Sequence, residues 1–231
     1  MNPICVAIDT PNLAQAVSLA KTLKPHVGWA KIGMEFFYAH GLAGYAKVAE
    51  TGLPVFLDLK LHDIPNTVAS AMKALMRITP TPGIVNLHAS GGLDMMKAAA
   101  EAVDGRAKLI AVTILTSLSD DDIWSAGFET AKNTEGHARS LAELTKRAGL
   151  DGVVCSPHDL VGIRHDLGRD FLTVVPGIRP ADAAVQDQKR VATPEAALAA
   201  GADILVIGRA ITGANDPARA AQDILASLDA R

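Results

Sequence analysis

Residues 58 to 67 read Asp-Leu-Lys-Leu-His-Asp-Ile-Pro-Asn-Thr and follow directly on the apolar stretch Leu53 to Leu57. In an extended strand alternate side chains share a face, so Asp58 and Lys60 are expected on one side. Asp63 falls beyond them, where the chain turns at Ile64-Pro65. Unpaired buried charge is costly, so three charges beside a core-like strand must be paired or used. Such clusters occur in active sites and in structural ion networks alike, and the run alone leaves both open.

The elements that must position these groups repeat along the chain: a short β-branched or apolar run, a polar turn, then a longer Ala/Leu-rich segment of helical period. Strands are expected at Ile4–Ile8, Trp29–Ile32, Val55–Leu59, Ile84–Leu87, Leu109–Ile114, Gly152–Cys155, Leu172–Val175 and Ile204–Ile207. Helices are expected at Leu13–Leu23, Gly41–Glu50, Thr67–Ile78, Gly92–Ala102, Thr134–Ala148, Pro157–Leu167, Pro194–Ala200 and Pro217–Leu228. Eight strands alternating with helices, with no linker or low-complexity tract between them, predict an α/β protein folded as a single (β/α)8 TIM barrel over residues 1–231.

In such a barrel the reaction site lies at the carboxyl ends of the strands. Asp9 ends the first strand, Lys31 lies in the second, Asp58 and Lys60 in the third, His88 follows the fourth, and the fifth runs into Thr116. Each taken singly has a plain structural role: Asp9 before Thr10-Pro11 as a helix cap, Lys31 as a surface charge. Together they align at one end of the barrel. The last two strands carry a different signal, Val175-Pro176-Gly177-Ile178-Arg179-Pro180 and Ile207-Gly208-Arg209-Ala210. Glycine lets backbone N–H groups approach an anion and arginine adds charge-assisted hydrogen bonds, so these loops are candidates for a phosphate site. Ordinary turns and surface ion pairs are the plain alternative. The polar stretch Asp182 to Arg190 has no apolar period and is expected to be a loop able to fold over a ligand, with Gln188 as a contact.

Composition narrows the partners. Twenty-two basic residues against 25 acidic ones, with no Lys/Arg cluster, argue against a nucleic acid or an anionic membrane as the main partner. No stretch is long and apolar enough to span a bilayer. The opening Met-Asn-Pro-Ile-Cys-Val-Ala-Ile-Asp lacks the pattern of a secretory leader, and Cys5 and Cys155 each sit in an apolar run. Buried free thiols and a cytoplasmic location are the expectation. Asp120-Asp121-Asp122 suits a helix N-terminus, Phe36-Phe37-Tyr38 with Met34 a core or subunit interface, and Met95-Met96 and Trp29 packing.

The run Val55-Phe56-Leu57-Asp58-Leu59-Lys60-Leu61-His62-Asp63-Ile64-Pro65-Asn66-Thr67-Val68 resembles the signature of the orotidine 5'-monophosphate decarboxylase family, and Pro176-Gly177-Ile178-Arg179-Pro180 and Gly208-Arg209 are similar to its phosphate region. The resemblance spans the whole chain. It implies a homodimeric barrel that converts orotidine monophosphate to uridine monophosphate, the last step of de novo pyrimidine nucleotide synthesis, without metal or organic cofactor. By position it implies a Lys/Asp/Lys/Asp tetrad of Lys31, Asp58, Lys60 and Asp63, with Asp63 shared across the dimer interface and Lys60 as proton donor. Asp9 and Thr67 would contact the nucleotide, Thr116 the pyrimidine, and Arg179, Gln188, Gly208 and Arg209 the phosphate. Two alternatives stay open: a sugar-phosphate lyase or isomerase with a divalent metal on His62, His88 and Asp58 or Asp63, and a nucleotide-binding barrel without catalysis.

Overall fold

The computed structural model describes residues 2–180 and 190–229. Its elements follow the order β1 (Ile4–Ile8), α1 (Leu13–Leu23), β2 (Trp29–Gly33), α2 (Met34–Ala49), β3 (Val55–Leu61), α3 (Pro65–Leu75), β4 (Ile84–His88) and α4 (Leu93–Val103). The second half continues with β5 (Lys108–Val112), α5 (Asp120–Ser125), α6 (Thr134–Arg147), β6 (Gly152–Val154), α7 (Leu160–Leu167), β7 (Leu172–Val175), α8 (Pro194–Ala199), β8 (Ile204–Ile207), α9 (Arg209–Thr212) and α10 (Pro217–Asp229). All eight strands are parallel, each pairs with its neighbours in sequence, and β8 closes on β1.

Alternation along the strands produces the two layers of this fold. Cys5, Ala7, Phe56, Ile84, Ile110, Val174, Ile204 and Val206 form an apolar cluster built from strand residues alone, with Trp29, Val154 and Leu172 packed against it. Such a cluster fills the lumen of a closed barrel. The intervening positions, Ile4, Val6 and Ile8 in β1 for example, join the larger cluster that the helices cover. Helix α1 shows how the outer layer docks. Asn12 caps it by accepting from Gln15 N–H at 3.0 Å, and the i, i+4, i+7 residues Ala16, Ala20 and Leu23 are buried against the sheet.

Several boundaries differ from those expected, each for a local reason. Helix α2 is divided at Gly41, whose φ of +57° and ψ of −150° are non-helical: the part expected from Gly41 onward is present, and a further helical part beginning at Met34 precedes it. Its first part buries Phe36 in the core and leaves Tyr38 76% exposed, so the aromatic run divides between core and surface. Helix α3 starts two residues before Thr67, with Pro65 in its first turn. The three aspartates open α5, where Asp122 accepts from the Ser119 N–H at 2.8 Å and Asp120 from the Thr134 N–H at 2.7 Å. Cys5 and Cys155 are buried free thiols.

At the amino-terminal ends of β7 and β8, Arg164 ties the barrel's base together. It is ion-paired with Asp203 at 2.6 Å and donates to Thr173 Oγ1 and to the carbonyls of Phe171, Gly168 and Gly201. Polar groups fastened at that end of such a barrel serve stability, which leaves the opposite end for chemistry. No helix among the described residues is long and apolar enough to cross a membrane.

Candidate active site

A cavity of about 690 Å³ opens at the carboxyl ends of the strands. Asp9, Lys31, Asp58 and Lys60 line one side, Leu115, Thr116 and Cys155 another, and Gly177, Arg179, Gly208 and Arg209 line it at β7 and β8. Eight of the residues expected in the site therefore share one cavity. Asp63 and Thr67 are exposed and outside its lining, and Gln188 lies outside the described residues.

The floor is an ion chain drawn from three strands. Asp58 Oδ1 accepts from Lys60 Nζ at 2.7 Å, and its Oδ2 lies 3.4 Å from Lys31 Nζ, which also donates to Asp9 Oδ1 at 3.2 Å. Asp58 is buried and Lys31 partly buried, whereas the Asp9 side chain is 54% exposed. Burial alone would raise the Asp58 carboxyl, but the charges of Lys31 and Lys60 and hydrogen bonds from Lys60 and Asn86 outweigh it and hold the group below its ordinary value. Burial would likewise lower Lys31, and the carboxylates of Asp58 and Asp9 more than offset it. Each charge is thus tolerated because the next one is present.

Plain strand alternation does not account for how Asp58 meets Lys60. Leu57 of β3 pairs with Val85 of β4, but Leu61 pairs with Leu87, so four steps along β3 are matched to two along β4. The surplus forms a bulge with Lys60 at φ +52°, the left-handed region, where a residue with a Cβ is strained by about 1–2 kcal/mol. Asn86 fills the gap in the ladder. Its Oδ1 accepts the Lys60 N–H at 2.8 Å and its Nδ2 donates to Asp58 Oδ1 at 2.7 Å. Asn86 went unremarked in the sequence, although one polar residue inside Ile84-Val85-Asn86-Leu87 was signal enough.

A second unforeseen group supports the wall beside Thr116. Arg190 is buried, pairs with Asp159 at 2.8 Å and donates to the carbonyls of Ile114 and Leu115. It ends the polar stretch expected to be a loop; the remainder of that stretch, 182–189, lies outside the described residues. Burial pushes the Asp159 carboxyl up to about 6 even against the charge of Arg190. On the near side of residues 181–189, the Arg179 N–H donates to Ala192 O at 3.0 Å and Ala192 N–H to Gly177 O at 3.1 Å, fixing the turn at Gly177, φ +80°.

Asp63 accepts from its neighbour's N–H, Ile64, at 2.6 Å, and no ion pair joins it to Lys60 within the described chain. The rings of His62 and His88 lie 5.6 Å apart. Burial, then His62 and Lys60, lower the pKa of His88. Among the described residues no three His, Cys, Asp or Glu side chains assemble as a metal-ligand group.

A closed parallel barrel with a charged cavity at the carboxyl ends of its strands defines a (β/α)8-barrel enzyme. The model of the orotidine 5'-phosphate decarboxylase / HUMPS family matches residues 2–224, and the chain belongs to that family. An orotidine 5'-phosphate decarboxylase of Rhodospirillum rubrum is 50% identical, the match covering 98% of this chain and 94% of that protein. Another, from Novosphingobium aromaticivorans, is 51% identical with 98% and 99% covered. The crystal structure of the orotidine 5'-phosphate decarboxylase from Lactobacillus acidophilus superposes over the full length of both chains with a TM-score of 0.86 at 37% identity.

Proposed function

We propose that this chain is a carboxy-lyase that converts orotidine 5'-monophosphate to uridine 5'-monophosphate in pyrimidine nucleotide synthesis, with Lys60 as the proton donor. The observation that carries this reading is the placement of Lys60 Nζ 2.7 Å from the buried Asp58 carboxylate, inside a cavity whose other wall carries Gly177, Arg179, Gly208 and Arg209. In the reaction the bond between the pyrimidine ring and its carboxylate breaks, carbon dioxide leaves, and the bonding electron pair stays on a ring carbon with no evident sink. A fixed ammonium stabilises that pair electrostatically as it develops and then transfers a proton to it. Asp58 holds the ammonium in place and is itself paired with Lys31, and no step calls for a metal or organic cofactor.

At the far wall, Arg209 opens the four-residue helix α9 immediately after β8, a position at which barrels of this type hold phosphate. Binding energy from a phosphate seated there, with Arg179, Gly208 and Gln188, offsets the ordering of the ring over Lys60. Asp9 and Thr116 take the ribose and pyrimidine contacts. In this reading a second copy completes the site with Asp63 and Thr67, which are exposed here. Ile64 beside them is 66% exposed, and Met34 and Tyr38 add further exposed apolar surface for such a contact.

Replacing Arg209 by alanine removes a charge-assisted hydrogen bond of about 1.5–3 kcal/mol. KM for orotidine 5'-monophosphate should rise roughly 10- to 150-fold while kcat changes little. The unphosphorylated nucleoside should react equally with both proteins. Steady-state kinetics on the two substrates check this, and unchanged kinetics with the phosphorylated one would remove Arg209 from the phosphate site.

A further inference from the structure

We propose that Asn86 is a positioning residue for Lys60, holding the bulge of β3 in the one conformation that aims the ammonium at the reacting carbon. This rests on the catalytic reading of Lys60 above. Asn86 is 1% exposed at the middle of β4, among Ile84, Val85 and Leu87, where an apolar side chain would be the ordinary occupant. Both ends of its amide are engaged. Oδ1 accepts from the Lys60 N–H at 2.8 Å, the backbone donor displaced by the register shift between Leu57 and Leu61, and Nδ2 donates to Asp58 Oδ1 at 2.7 Å, the oxygen that also accepts from Lys60 Nζ.

One side chain therefore fixes the backbone and the counter-charge of the same lysine. The left-handed conformation of Lys60, φ +52°, is disfavoured for a residue with a Cβ and persists only where surrounding contacts over-determine it. With Asn86 gone, the Lys60 N–H faces an apolar strand without an acceptor, and β3 relaxes toward regular pairing. Lys60 then moves relative to a substrate anchored at β7 and β8. A displacement near 1 Å of a reacting group lowers the rate about 100-fold. The groups that face Asn86 or lie next to them are Asp58 and Lys60 on β3, Lys31 on β2 and His88 on its own strand.

The test compares Asn86→Ala and Asn86→Asp with the parent enzyme, measuring kcat and KM for orotidine 5'-monophosphate from pH 5 to 9, with thermal melts and uridine 5'-monophosphate binding alongside. Asn86→Ala should lose about 100-fold in kcat with KM nearly unchanged. Asn86→Asp keeps the acceptor for Lys60 N–H but sets a second carboxylate against Asp58. Two such carboxylates share a proton, and the protonated form restores the donor. Its kcat should therefore climb as pH falls, a dependence absent from the parent, whereas a purely structural defect would lower the melt without creating a new ionisation. If Asn86→Ala does not fold, the isosteric Asn86→Asp profile alone decides. Retention of parental kcat, or a depressed kcat with a parental pH profile in Asn86→Asp, overturns the proposal. If Lys60→Ala is inactive while the Asn86 variants keep parental kcat, this inference falls and the catalytic reading stands. If the parent itself does not turn over the substrate, the reading falls first.

Discussion

Lys60→Ala is expected to abolish turnover of orotidine 5'-monophosphate, with kcat falling by about 10⁴-fold or more, while uridine 5'-monophosphate still binds. A positioned proton donor alone contributes up to about 10⁴-fold, and here the same ammonium also stabilises the developing carbanion. The remaining charges stay matched in the variant, because Asp58 keeps its contacts with Lys31 and Asn86. The protein should fold, and affinity for the product should survive because the groups at β7 and β8 are untouched. Stopped-flow or single-turnover kinetics beside a binding isotherm separate the two effects. Near-normal turnover would sink the role of Lys60.

Asp58→Asn should have the largest effect on stability of any change in the site. The substitution keeps the shape and an acceptor but leaves the partly buried Lys31 and Lys60 without their shared carboxylate, and Asp9, the other partner of Lys31, is half-exposed. Breaking a buried ion pair from one side costs about 3–5 kcal/mol, which for a chain of this size lowers Tm by roughly 6–20 °C. The pH dependence has a definite sign. The native pKa of Asp58 is depressed, so its contribution is complete above the unfolded carboxylate value of about 4 and is lost as pH falls through the lower native value. The Tm gap between parent and variant should therefore be constant through neutrality and close in acid. Activity should fall too, by about 10²–10³-fold as for loss of a preorganised electrostatic group. A variant that melts with the parent at pH 7 would mean that Asp58 does not hold the two lysines.

How much of this was legible beforehand depends on range. The eight strands stand within about two residues of where period and β-branched runs place them, and Asp9, Lys31, Asp58, Lys60, Thr116, Arg179, Gly208 and Arg209 share the cavity that strand-end positions implied. The bulge in β3 was hidden because Asp58-Leu59-Lys60-Leu61 alternates as a regular strand does and carries no glycine to mark a left-handed residue. Asn86, hydrogen-bonded across it, sits 26 residues from Lys60, on the neighbouring strand. Arg190 shows the same limit: its counter-charge, Asp159, is 31 residues away, so a polar stretch that reads as a loop does not reveal the buried pair at its end. Asp63 and Thr67 mark a different limit: they are expected at the site, and in the described chain they lie exposed outside the cavity lining.

Decarboxylation by these side chains is the activity expected of the protein. Its most direct test is the absorbance of orotidine 5'-monophosphate on adding the full chain, freed of metal by chelator. The orotidine signal should disappear and uridine 5'-monophosphate accumulate in equal amount. An unchanged signal from folded protein that binds uridine 5'-monophosphate tightly would contradict the account and leave a nucleotide-binding barrel without the chemistry.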